Sequence, residues 1–214
     1  MPNTASDFWK IIKVAGALAA LLAWPGFSQA QLGLPGLPGG GGGGQAQTLT
    51  GQASAVTVVL LGNVTSLADT GTLSSASSPL GTGLGSGSIA GLLAGEALHA
   101  ATMGWTDQVA SQASVGNLAI NVAGLGISAL SVVSRALAVS GAGGTGGSSI
   151  DGLTIGGVPV TATGAPNQQI SVPGLTVILN EQIQSANGIV VNALRIRTLD
   201  GLTDIAIGSS RAGI

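Results

Sequence analysis

The 214-residue chain has no cysteine and no tyrosine, and charged residues make up only 7% of it. Without cysteine there are no disulfides, no thiolate nucleophile, and no metal site built from His and Cys. Beyond residue 30 the scarcity deepens, leaving Trp105 as the sole aromatic residue, His99 as the sole histidine and no lysine at all. The absence of lysine rules out isopeptide cross-links and lysine-linked polymers. Four arginines (Arg135, Arg195, Arg197, Arg211) face seven acids in that segment, a net charge of −3. No basic tract is present to neutralise phosphates, which excludes nucleic-acid binding as a reading. Stability has to come from apolar burial and backbone ladders, in a core of Val, Ile, Leu and Ala whose layers lie close together.

The first thirty residues read as an export signal. Lys10 and Lys13 form a basic start, Val14 to Ala23 is an uncharged apolar run, and Ser28-Gln29-Ala30 is a small-x-small cleavage site. The apolar run is too short to span a bilayer, and Pro25-Gly26 ends it. The expected organisation is a signal peptide over 1–30, a flexible Gly/Pro-rich linker over 31–47 containing Gly39 to Gly44, and one domain over 48–214.

From Thr48 the apolar period becomes two. Ala53 to Leu61 predicts a strand, Gly62-Asn63 a turn, and Val64 the start of a second strand. Ser77–Gly87 and Gly141–Gly147 read as Gly/Ser loops. Between Ala110 and Ala138 the composition tolerates a helix, but Gly116, Gly124 and Gly126 would each cost about 1 kcal/mol there. The alternation of Val109, Ser111, Ala113 and Val115 also favours strand. A strand–turn–strand unit recurs at Ser88, Ser114 and Ser149 with uneven spacing, which suits hairpins of a sandwich better than a fixed-period solenoid.

The C-terminal third carries the clearest signals. Asn187-Gly188 is a tight-hairpin dipeptide between Leu175–Ile183 and Ile189–Thr198. Leu194 and Ile196 alternate with Arg195 and Arg197, and Asp200-Gly201 turns the chain into Leu202–Ser209. The fold expected is an all-β antiparallel sandwich of about ten strands, with an irregular β-solenoid as the alternative.

Catalysis needs converging acid, base and nucleophile. His99 with Glu96 or Asp107 is the one such set the chain offers, and no Gly-x-Ser-x-Gly elbow accompanies it, so no enzymatic activity and no cofactor are expected. Asp200 and Asp204 are candidate calcium ligands, with Asn192 or Glu181 as helpers; a solvated acidic turn is the simpler reading. Trp105 is a candidate sugar-facing ring, although a lone aromatic more often lies in a core or lid. Asn180-Glu181-Gln182 at a strand end reads as a bracket satisfying backbone groups where a ladder stops. Asn192 shares parity with Leu194 and Ile196 and is therefore expected to point inward. Together with Pro166, Asn167, Pro173 and Gly174 these residues form an expected structural clasp.

The run Ala165-Pro166-Asn167, Val172-Pro173-Gly174-Leu175, Leu179-Asn180-Glu181-Gln182 and Val191–Ile196 resembles the bacterial choice-of-anchor P family. Ile150 to Gly157 resembles that family's lead-in. The resemblance implies an exported or cell-surface protein with no catalytic residues to carry over, and the family's usual C-terminal anchors are not matched after Ile207. Structural or adhesive work follows as the expected function, with self-assembly through strand edges. Its expected partners are other copies, envelope or extracellular proteins, or glycans. A glycan- or calcium-binding module is the alternative.

Overall fold

The computed structural model describes residues 48–76 and 79–214; the expected signal peptide and linker lie outside the described residues. The described chain is an antiparallel two-sheet sandwich, not the solenoid alternative, and it has thirteen strands where about ten were expected. Sheet A joins β10 (Gln168–Val172), β11 (Leu175–Ser185), β12 (Gly188–Thr198), β13 (Thr203–Gly213), β1 (Thr50–Leu60) and β2 (Asn63–Asp69), in that order. Sheet B runs β3 (Leu80–Ile89), β4 (Leu93–Gly104), β5 (Gln108–Val122) and β6 (Leu125–Val139). Its far edge is made of β7 (Gly143–Asp151), β8 (Thr154–Ile155) and β9 (Val158–Pro159). β7 and β8 follow β6 in a single register, with a gap at Gly152-Leu153. Among the described residues no helix is long and apolar enough to cross a membrane.

The added strands come from stretches that read as loops. Ser77–Gly87 contributes most of β3, and Gly141–Gly147 contributes the start of β7. Neither has β-forming composition; space explains β7. A Cβ on Gly144 would lie 2.5 Å from the backbone carbon of Gly188, and one on Gly146 would lie 2.5 Å from Val191 Cγ2. Only bare backbone fits where β7 presses on β12. Two turns are also shifted by one residue. The first hairpin turns at Leu61-Gly62, both with positive φ (50° and 81°), and Asn63 opens β2. The later one turns at Ala186-Asn187, with Gly188 already in β12.

Strict alternation fails in the middle of every long strand. In β5 the buried residues are Val109, Ser111, Ala113 and Val115, and then Leu118, Ile120 and Val122. In β6 they are Ile127 and Ala129, and then Val132, Ser134, Ala136 and Ala138. The slip occurs at one transverse row in each sheet. In sheet A the row is Asn167, Asn180, Ala193, Gly208, Ala55 and Ala68, a rung the ladders skip. Left-handed φ recurs along it, at Asn167 (58°), Asn180 (51°), Gly208 (58°) and Ala68 (50°). In sheet B the corresponding residues are Ala97 (48°), Asn117 (45°) and Gly152 (63°). These are bulge-like breaks that bend a strand and re-aim its side chains.

This crease divides the interior. On one side Leu, Ile and Val from both sheets make the main core, including Leu98, Leu118, Ile127, Leu179, Leu194, Ile196, Ile205 and Ile207. On the other side the sheets meet through Ala53, Ala100 and Ala113, through buried hydroxyls, and through a second apolar cluster that includes Leu49, Leu73, Val109, Ile189 and Val191. Ser134 and Ser210 share a hydrogen bond of 2.6 Å between the sheets. Ser111 Oγ donates to the Arg211 carbonyl at 2.7 Å, and lies 2.7 Å from Thr102 Oγ1.

Three substitutions check this account. Gly144→Ala is expected to destabilise by about 1–3 kcal/mol through overpacking. Gly147→Ala, where a Cβ meets nothing within 4 Å, should be neutral or slightly stabilising in the same denaturant titration. Ala97→Gly should raise stability by up to about 1 kcal/mol, because a left-handed alanine carries strain that glycine lacks. A loss of stability there would contradict the left-handed assignment.

Candidate functional site

Asn180, Glu181 and Gln182 lie in the middle of β11, where the crease places them, and not at a strand end as expected: the ladder to β12 continues to Ser185. The chain crosses from sheet B to sheet A between β9 and β10, and Asn167 meets β11 at the end of that crossing. The Asn167 amide donates to the Asn180 carbonyl at 2.9 Å, and the Gln182 amide donates to Asn167 Oδ1 at 2.9 Å. Asn180 Nδ2 donates to the Gly164 carbonyl at 2.7 Å. Asparagine suits both positions because its short amide tolerates left-handed φ and bonds nearby backbone. Gln182 Nε2 reaches the Gly146 carbonyl at 3.1 Å and Gln184 Nε2 the Gly144 carbonyl at 3.3 Å, so β11 side chains cover carbonyls of β7. Pro173-Gly174 forms the turn of the β10–β11 hairpin, with Gly174 at φ 77°, as a type II turn requires. Pro166 is exposed in the turn before β10.

Glu181 and Asn192 lie on the opposite side of the sheet from Gln182. The inward expectation for Asn192 is corrected here: Ala193 and Leu194 both enter the core, so Asn192 falls on the face of Arg195. It is nevertheless buried, as is Glu181, at 4% and 7% exposure. Asn192 Nδ2 donates to Glu181 Oε2 at 2.6 Å, and Arg195 Nη1 donates to the same oxygen at 2.9 Å. Arg195 also grips Asp204 with two bonds, Nε to Oδ1 at 2.9 Å and Nη2 to Oδ2 at 2.7 Å. Arg197 spans both acids, 3.3 Å from Glu181 Oε1 and 3.4 Å from Asp204 Oδ2. Two carboxylates and two guanidiniums thus form one compensated network. Its arginines are readable from their alternation, whereas Glu181 joins only because the crease reverses its face.

The calcium candidates do not converge. Both Asp204 oxygens are engaged by guanidinium groups, and Asp200 Oδ1 accepts from Thr198 Oγ1 at 2.5 Å and from the Leu202 amide at 2.9 Å. Among the described residues no group of three or more His, Cys, Asp or Glu is placed to hold a metal. The catalytic candidates are dispersed as well. His99 lies beside Gly83 across the β3–β4 ladder, Glu96 Oε2 accepts from Asn117 Nδ2 at 2.7 Å, and Asp107 is in the β4–β5 turn. No hydrogen bond joins His99 to either acid among the described residues. Trp105 is half-buried in that same turn. A cavity of about 210 Å³ lies under the crossover, bounded by Ser148, Asp151, Thr163 and Asn180. It offers hydroxyls and one carboxylate with no base facing them.

Comparison with protein-family models, with curated proteins and with solved structures finds no match in any of the three.

The network sets an acid limit. Burial of Asp204 works to raise its pKa, and the hydrogen bonds and charges of Arg195 and Arg197 outweigh it, leaving the carboxyl below its ordinary value. Asp200 is lowered by the Thr198 hydroxyl and the Leu202 amide. A depressed carboxyl stabilises the fold above its unfolded pKa of about 3.9 and loses that contribution as pH falls through the native value. Thermal stability should therefore be level near neutrality and fall below about pH 4, with a shallower fall in Asp204→Asn. Glu181→Ala should cost about 1–3 kcal/mol, because it leaves the buried Asn192 amide without its partner and removes one of the two carboxylates that half-buried Arg195 holds.

Proposed function

We propose that this is an exported, non-enzymatic structural or adhesive protein that self-assembles through a strand edge. The observation that carries the reading is β3. This strand closes one edge of sheet B, spans ten residues, and contains no charge, no proline and no left-handed residue. Exposed edges of this kind template pairing with another chain, and soluble proteins normally blunt them. The other edges are blunted. Gln182 and Gln184 cover β7 carbonyls, β9 is two residues long and ends in Pro159, and β10 is five residues between Pro166 and Pro173. β2 is broken by left-handed Ala68 and carries Asp69. Export is supported by the residue pattern of the first thirty positions, and a surface role by the resemblance of residues from Ile150 onward to the choice-of-anchor P family. The dispersal of His99, Glu96 and Asp107 supports the non-enzymatic part.

Thr82→Lys with Ser86→Lys places two charges on the free edge. The chain from Gln31 onward should form extended assemblies at high concentration in negative-stain images and sedimentation, and the double variant should form nothing larger than a dimer. Ala119→Lys, exposed in the middle of the sheet, serves as the control and should assemble normally. Uniform monomers of the unaltered chain at high concentration would sink the reading.

A further inference from the structure

A second surface lies at one end of sheet A. Three hairpin turns share that end: Pro173-Gly174, the Leu199–Leu202 turn and Leu61-Gly62. They are tied to one another, the Leu199 amide donating to the Gly174 carbonyl at 3.1 Å and the Leu61 amide to the Leu202 carbonyl at 2.9 Å. The rim they form is held in place before any partner arrives. It is also apolar. Leu60, Leu61, Val64, Leu199 and Leu202 are 45%, 67%, 66%, 72% and 49% exposed, five of the nine large hydrophobic residues exposed to that degree among the described residues. They amount to roughly 500 Å² of exposed surface, in the range where a contiguous patch on a monomer is often functional.

The rim is asymmetric in a way that suits its own copy. Leu60, Leu61 and Val64 project at the β1–β2 side. At the β10–β11 side there is an open cleft of about 500 Å³ whose lining includes Ile170, Val172, Pro173 and Leu175. The Leu199–Leu202 turn lies between them, following the strand order. A two-fold axis normal to the sheet, passing through that middle turn, brings each copy's projecting leucines over the other's cleft. This is the self-complementary patch that an isologous contact needs. Covering both rims removes roughly 1,000 Å² in total, the threshold for a specific though weak interface.

We propose that the rim is an end-to-end docking surface for a second copy of this chain, each Leu61 tip entering the partner's β10–β11 cleft. The contact is separate from strand-edge assembly, since β3 belongs to the other sheet. The two Asp200 carboxylates flank the axis and oppose the pairing. Asp200→Asn should therefore tighten the dimer, and added salt should do the same.

The absence of cysteine gives a direct test. Leu61→Cys and Val172→Cys proteins, both built on the Thr82→Lys/Ser86→Lys background, are mixed under mild oxidation. Cross-linked dimer is expected faster from the mixture than from either protein alone. Leu61→Ser with Leu199→Ser, on the same background, should weaken dimerisation at least tenfold by sedimentation while leaving the melting temperature unchanged. Equal cross-linking in all samples, or no dimer at any concentration, overturns the proposal. Rim-dependent binding to phosphatidylcholine vesicles without a dimer overturns it in favour of a lipid surface. An unaltered chain that forms the rim dimer and nothing larger would count against the strand-edge reading alone.

Discussion

Everything in this sandwich answers to the row at which each sheet reverses its inward face. A strand cannot keep one set of side chains buried along its length if a left-handed residue turns it over midway. The sequence accommodates that break at the same level in every long strand. In sheet A two successive residues, such as Ala193 and Leu194, enter the core. In sheet B the doubled residues face out, as at Leu130 and Ser131. The extra residue thus lies on the inner side of one sheet and the outer side of the other, so both bend in the same sense and remain in contact.

That shared bend lets one domain carry two interiors. In one half Leu, Ile and Val from both sheets fill the interior, and in the other Ala and Ser meet beside a second cluster of Leu49, Leu73, Val109, Ile189 and Val191. Close approach of β12 explains Gly144 and Gly146 in β7, where a Cβ would meet Gly188 and Val191. The paired hydroxyls of Ser134 and Ser210 follow from the contact between sheets, since a buried polar group needs a partner and the facing sheet supplies one. The bend accounts for the acidic and basic network as well: Glu181 is buried on an outer face, hemmed in by Asn192 and two arginines.

Local signals read the fold class correctly, together with the β5–β6 hairpin and the β11–β13 meander, because β-branched alternation and Gly-containing turns act over a few residues. They failed where a residue is chosen by something distant in the chain. Gly144 and Gly146 look like linker until Gly188 and Val191 are placed beside them. Unbroken alternation through Ala193 would point Asn192 inward, and the two successive inward residues Ala193 and Leu194 turn it to the other face. Asn180 and Gln182 read as a polar strand end, but they lie in mid-strand at the crease, and their targets, Gly164 and Gly146, are set by the crossover and by β7. The Arg195 and Arg197 alternation was visible, and Asp204 was visible only as an acid near a turn. What united them was register across three strands, which no single stretch of sequence displays.

The placement of β1 has a mechanical consequence. Thr50 is paired with Gly213 at one end of sheet A, and Leu60 lies at the apolar rim at the other. β1 is laddered on both sides, to β13 and to β2. Tension between the N-terminal side of the domain and a partner gripping the rim runs parallel to this strand and loads its rungs together, in shear. Tension applied between Thr50 and Gly213 instead opens the β1–β13 ladder from one end, a rung at a time. The same hydrogen bonds thus resist a pull strongly along one axis and weakly along another, and the point of attachment decides which resistance is met.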